Sequence, residues 1–285
     1  MFGPMLLVIL FLLITGISHF IGIGCQFFQW PPHQSQPVKG TLLVIVLFIF
    51  FAFNKVFPFG LELLFYNSSM SQLFSWNDST IKMASYTLSS LSILYLIFLF
   101  NRGNTPKPHA ATLMSLTSPL DAIKQGVATF FFGITAVGAV SLFMQILVAY
   151  LFHHSGHEQP IITYIKENYN HWSILTLGAL NIILLGPITE EIVFRGFLQR
   201  YLSCRVTRST SILLTSTLFA FVHYSPLQGV ANLPLLSSIF VLSLYLGFVY
   251  EKTLSIIAPI AMHVLFNLEG VVRLYLMLLK PSSTP

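Results

Sequence analysis

The sequence predicts an all-α fold, a polytopic transmembrane bundle of about eight spans, and two observations carry that prediction. Of the 285 residues, 55% are hydrophobic and only 8% are charged. A soluble domain carries about 25% charged residues to solvate its surface, so most of this surface must face something other than water. The apolar residues also fall into runs of the length that a hydrocarbon core of about 30 Å demands. In chain order these runs lie at 4–24, 41–60, 83–100, 126–152, 172–202, 209–225, 233–250 and 254–279.

The first run is predicted to stay as a membrane helix. Met1–Met5 holds no Lys or Arg, and a cleaved signal peptide needs a basic segment there. The second is blurred by Lys55 and Pro58 and is predicted to end in an interfacial stretch reaching Trp76. Between the third and fourth, Asn101–Gln125 carries Pro106, Pro108 and Pro119 and reads as a loop or surface-lying stretch. The segment His153–His171 is rich in His and Glu, but Ile161 stands where an HExxH zinc motif would need its second histidine, so it reads as a polar loop. Residues 1–150 thus form an N-terminal set of about four spans without site residues. Residues 151–285 carry the chemistry, centred on about 172–270.

The net charge of +5 is read through topology and not as a nucleic-acid surface. Lys39, Arg102, Lys107, Lys124, Arg200, Arg205, Arg208 and Lys252 follow the odd-numbered runs, whereas the other side carries Lys55, Lys82, Lys166 and Lys280. Excess Lys and Arg mark the cytoplasmic side, which places both termini outside. Cys25 and Cys204 then share the cytoplasmic side as free thiols. The chain is expected to be a multi-pass integral membrane protein, of the cell membrane in a bacterium or the endoplasmic reticulum in a eukaryote.

Ionisable residues at membrane depth cost several kcal/mol and default to function. Three sets stand out: Glu190-Glu191 with Arg195, Phe219 with His223, and His263 with Asn267. Glu190, His223 and His263 lie roughly 15, 21 and 14 Å in from the basic-loop side, at 1.5 Å per residue, so they can meet at one level. Gly186-Pro187 predicts a kink or restart ahead of the glutamates, and a helix restarting near Thr189 would present its N-terminal dipole to them. Glu191 and Arg195, four apart, share a helical face and can pair. Glu190 points away from that pair; a desolvated carboxylate next to another is a suitable general base. A ring at Phe219 would pack against His223, and His263 with Asn267 offers donors for an oxyanion. A polar helix–helix contact would explain Glu191 and Arg195 but leaves Glu190 as an uncompensated cost.

In order along the chain, EExxxR, FxxxH and HxxxN resemble the motifs of the CAAX protease and bacteriocin-processing (CPBP) family of intramembrane proteases, which includes the type II CAAX prenyl endopeptidases. The resemblance implies that Glu190 and His223 activate a water, that His263 and Asn267 stabilise the oxyanion, that Glu191 with Arg195 braces the helix, and that Phe219 shapes the pocket. It implies a protein or peptide substrate, lipidated or not, within the membrane lipid, and no nucleic acid. No cofactor is required by this reading; zinc held by Glu190, His223 and His263 is the alternative, since two His and one Glu form a known catalytic set. The rival classes are a non-proteolytic scaffold or immunity protein on the same fold, and a transporter, which would favour symmetry between halves.

Overall fold

The computed structural model describes residues 2–31, 38–66, 78–104, 117–153 and 171–279, which are helical almost throughout. The helices are α1 Phe2–Gly24, α2 Gly40–Phe51, α3 Phe57–Tyr66, α4 Asp78–Asn104, α5 Pro119–Phe152, α6 Trp172–Leu180, α7 Gly186–Glu191, α8 Arg200–Ser203, α9 Arg208–Phe221, α10 Asn232–Thr253 and α11 Ile257–Leu279. Turns of π-helix at Ala52–Val56, Asn181–Leu185 and Ile192–Gln199 join α2 to α3, α6 to α7 and α7 to α8.

Seven helical stretches among the described residues are long and apolar enough to cross a membrane, in keeping with about eight spans. The predicted span at 209–225 is the one that falls short. Its helix, α9, has 14 residues and so a length of about 21 Å. The predicted loop at 101–125 is narrower than expected, because α4 runs on to Asn104 and α5 already begins at Pro119. Ser118 explains that early start: its hydroxyl accepts from the Asp121 amide, with proline in the first turn. The His153–His171 segment lies mainly outside the described residues.

The chain divides into two compact units. Unit 1 comprises Met1–Pro37, Leu113–His157 and Phe194–Phe266. Its core joins Ala122 of α5, Leu242, Leu246 and Val249 of α10, and Ala258 and Met262 of α11. Small residues let α5 approach α11 closely, as in many membrane helix pairs. A Cβ added at Gly126 would lie 2.4 Å from the Ala258 carbonyl oxygen. At one end of unit 1, four connections meet. Lys252 donates to the Phe27 carbonyl and Arg208 to the Pro31 carbonyl, while Thr117 donates to the Thr253 carbonyl at 2.9 Å. The segments following the first, third, fifth and seventh predicted spans therefore share one end, as the distribution of basic residues predicts.

Unit 2 comprises Val38–Thr112, Glu158–Val193 and Asn267–Pro285. Here α4 packs against α3 and α6, and Asn181 donates to the Thr87 hydroxyl at 2.7 Å. Of the predicted kink or restart at Gly186-Pro187, the restart does not occur. Leu185 and Gly186 keep right-handed helical dihedrals, and the preceding turn widens instead. The Gly186 amide donates to the Asn181 carbonyl, five residues back. Widening the turn accommodates the proline ring, and the helix continues past it. There is consequently no helix start near Thr189, whose hydroxyl donates back to Leu185 and Gly186 at 2.9 and 2.8 Å. The expected dipole stabilisation of the glutamates falls with it.

Candidate active site

Within unit 1, the ring of Phe219 is the meeting point of residues from all three motifs. Phe219 is 1% exposed and lies in the last turns of α9. The Arg195 guanidinium stands over it, 4.5 Å from the ring centroid. The His223 ring lies 4.9 Å from it and the His263 ring 6.0 Å, edge-on. Phe194 closes a further side at 5.0 Å. The predicted packing of Phe219 against His223 is present.

His223 lies just beyond the end of α9, where its Nδ1 is 2.7 Å from the Phe219 carbonyl oxygen. A carbonyl can only accept, so Nδ1 carries the proton in that contact. In the neutral ring, Nε2 is then left with its lone pair, the state a base or ligand needs. The segment after His223 is held by Asn232, which is 4% exposed. Its Oδ1 accepts from the Ser225 amide, and its Nδ2 donates to the Ser225 and Gly229 carbonyls at 2.7 and 3.0 Å. Gly229 permits the turn, with φ of 48°. Asn232 has no counterpart in the motif pattern, and an asparagine opening a helix gives little signal in sequence.

Arg195 is fully buried and donates through Nη2 to the Ser243 hydroxyl at 2.7 Å. One turn on, Gln199 donates to the Gly247 carbonyl at 3.1 Å and to Glu251 at 3.0 Å. Arg208 stands 3.7 Å from the same Glu251. Arg195 and Gln199 thus face a ladder on α10 at positions 243, 247 and 251, four residues apart. That spacing was present in the sequence, but the residues are too ordinary in type to mark it.

Within unit 2, Glu191 is fully buried and Glu190 half-buried, both at the end of α7. Asn267, on α11, donates through Nδ2 to the Ile182 carbonyl at 2.7 Å. At least one of its amide hydrogens is therefore engaged by the backbone ahead of α7. Among the described residues, no group of three or more His, Cys, Asp or Glu is arranged to hold a metal ion.

Comparison with curated proteins and with solved structures gives no match. The stretch that holds every motif residue does match: residues 172–268 fit the model of the Rce1-like family, the type II CAAX prenyl endopeptidases.

Proposed function

We propose that the protein is an intramembrane endopeptidase that trims the C-terminus of a prenylated, membrane-associated protein. The observation that carries the proposal is the convergence of Arg195, His223 and His263 on the ring of Phe219, in a stretch that matches the prenyl endopeptidase family. A shallow, mostly apolar groove of about 430 Å³ lies beside α9, lined by Val140, Thr217, Ala220, Phe221, Leu236, Ser237, Phe240 and Val241. Ala220 adjoins Phe219 in the chain, and a lipid chain is the kind of group such a groove would accept.

In the proposed reaction, Glu190 and the free Nε2 of His223 take a proton from water as its oxygen attacks the scissile carbonyl. The new C–O bond leaves an oxyanion, which accepts a hydrogen bond from His263. Collapse of this intermediate breaks the C–N bond, and the proton held by Glu190 or His223 passes to the leaving amine. Glu191 pairs with Arg195 and holds the helix that presents Glu190. The family resemblance implies a second oxyanion donor in Asn267, but its Nδ2 donates to the Ile182 carbonyl, and the proposed reaction rests the oxyanion on His263. No step passes through a metal.

The test is cleavage of a farnesylated CAAX peptide by purified protein in detergent, beside the same peptide without its lipid. The lipidated peptide is expected to be cleaved and Glu190→Gln to lower the rate by about 10²–10⁴, the usual cost of losing a general base. Equal cleavage of both peptides would remove the lipid from the proposal. Full activity in Glu190→Gln would remove the base.

A further inference from the structure

We infer that Asn267 is a positioning residue, which replaces a backbone hydrogen bond that Pro187 removes from the helix leading to the glutamates. The register of the turn makes this specific. The Gly186 amide donates to the Asn181 carbonyl, an i to i−5 bond. Continued by one residue, the same pattern would have the amide of residue 187 donate to Ile182. Proline has no N–H to give. The Nδ2 of Asn267 lies 2.7 Å from that carbonyl oxygen and supplies the donor from α11.

At membrane depth a backbone acceptor has no water to turn to, so distorted helix persists only where protein satisfies it. Pro187 is buried, and the carbonyl it deprives lies two turns ahead of Glu190. The pairing therefore fixes the wide turn Asn181–Leu185 and, through α7, the residue proposed as the base. The link to turnover rests on the proposed proteolytic reading; the link to folding does not.

This assignment differs from an oxyanion donor in a way that a compensating substitution reveals. Asn267→Ala removes the side-chain donor, whereas Pro187→Ala restores a backbone donor at the same place. Asn267→Ala is expected to lower Tm by about 2–8 °C, the shift that follows from stranding one buried acceptor, and to cut turnover at least about tenfold through misplacement of the base. Adding Pro187→Ala to Asn267→Ala is expected to recover most of the Tm and of the turnover, with KM near that of the parent. If Asn267→Ala alone yields no folded protein, recovery of folded protein in the double variant is the same result.

Recovery of Tm without recovery of turnover would overturn the inference, because Asn267 would then touch the reacting atoms. A Tm unmoved by Asn267→Ala would overturn it as well. Should the parent protein cleave no peptide, the proteolytic reading fails by itself, and the two Tm measurements still decide whether Asn267 serves the turn.

Discussion

Gly126→Ala is the smallest change expected to damage the site from a distance. The added methyl would stand 2.4 Å from the Ala258 carbonyl oxygen and 3.1 Å from the Ala261 Cβ. An unstrained carbon–oxygen contact needs about 3.3–3.6 Å, so α5 and α11 must separate locally by roughly 1 Å. The backbone carbonyl cannot swing aside as a side chain would. Two terms oppose each other. Alanine gains about 1 kcal/mol over glycine in helix propensity, whereas overpacking a close contact costs about 1–3 kcal/mol. The close approach should win, with a fall in Tm of a few degrees. The larger effect should be on turnover. His263 lies on α11 five residues beyond Ala258, against the Phe219 ring, and a displacement of about 1 Å at a reacting group can cost about 10² in rate. Gly16→Ala is the control, because nothing lies within 4 Å of its Cβ position, and it should be neutral or slightly stabilising. The assay is thermal unfolding in detergent beside initial rates on the farnesylated peptide. Parent-like Tm and rate in Gly126→Ala would refute the claim that the α5–α11 contact sets the position of His263.

Glu191→Gln should lower Tm as well as activity, because the proposed partner Arg195 is fully buried and breaking a buried pair costs about 3–5 kcal/mol; a parent-like Tm would argue against the pairing. Exhaustive chelation should leave activity intact, and loss restored specifically by zinc would move Glu190, His223 and His263 into the role of ligands. Cys25 is exposed and Cys204 partly so, hence a membrane-impermeant thiol reagent should label them only after permeabilisation. Labelling of Cys204 in intact cells would reverse the predicted orientation, and labelling of Cys25 alone would point to an error in the count of early spans.

The class of the fold and the positions of the motif residues were legible because their signals are large. Charge is so scarce in this chain that Glu190, Glu191 and Arg195 could not be hidden among solvated neighbours. Run lengths located the long helices, although composition could not show that α9 stops at Phe221, because the apolar pattern continues past the end of the helix. The turns of π-helix were illegible for a different reason. One widened turn shifts the apolar phase by less than the width of an apolar face, so the run from 172 to 202 looks the same with or without it. Pro187 was read as a break because the rule for proline assumes α-helical geometry ahead of it. With five residues between donor and acceptor, the clash and its consequence are both different.

That difference accounts for much of what surrounds the glutamates. The helix carrying them is widened before α7, at Asn181–Leu185, and after it, at Ile192–Gln199. A widened turn misaligns backbone groups, and hydrocarbon offers them no replacement partner. Side chains must hold such a helix from neighbouring elements. Asn267 does so for the first turn, at Ile182. For the second, the contacts run the other way: Arg195 and Gln199 reach out to Ser243, Gly247 and Glu251 of α10. Polar residues on neighbouring helices therefore brace both widened stretches: Asn267 from α11 at the first, and Ser243, Gly247 and Glu251 of α10 through Arg195 and Gln199 at the second.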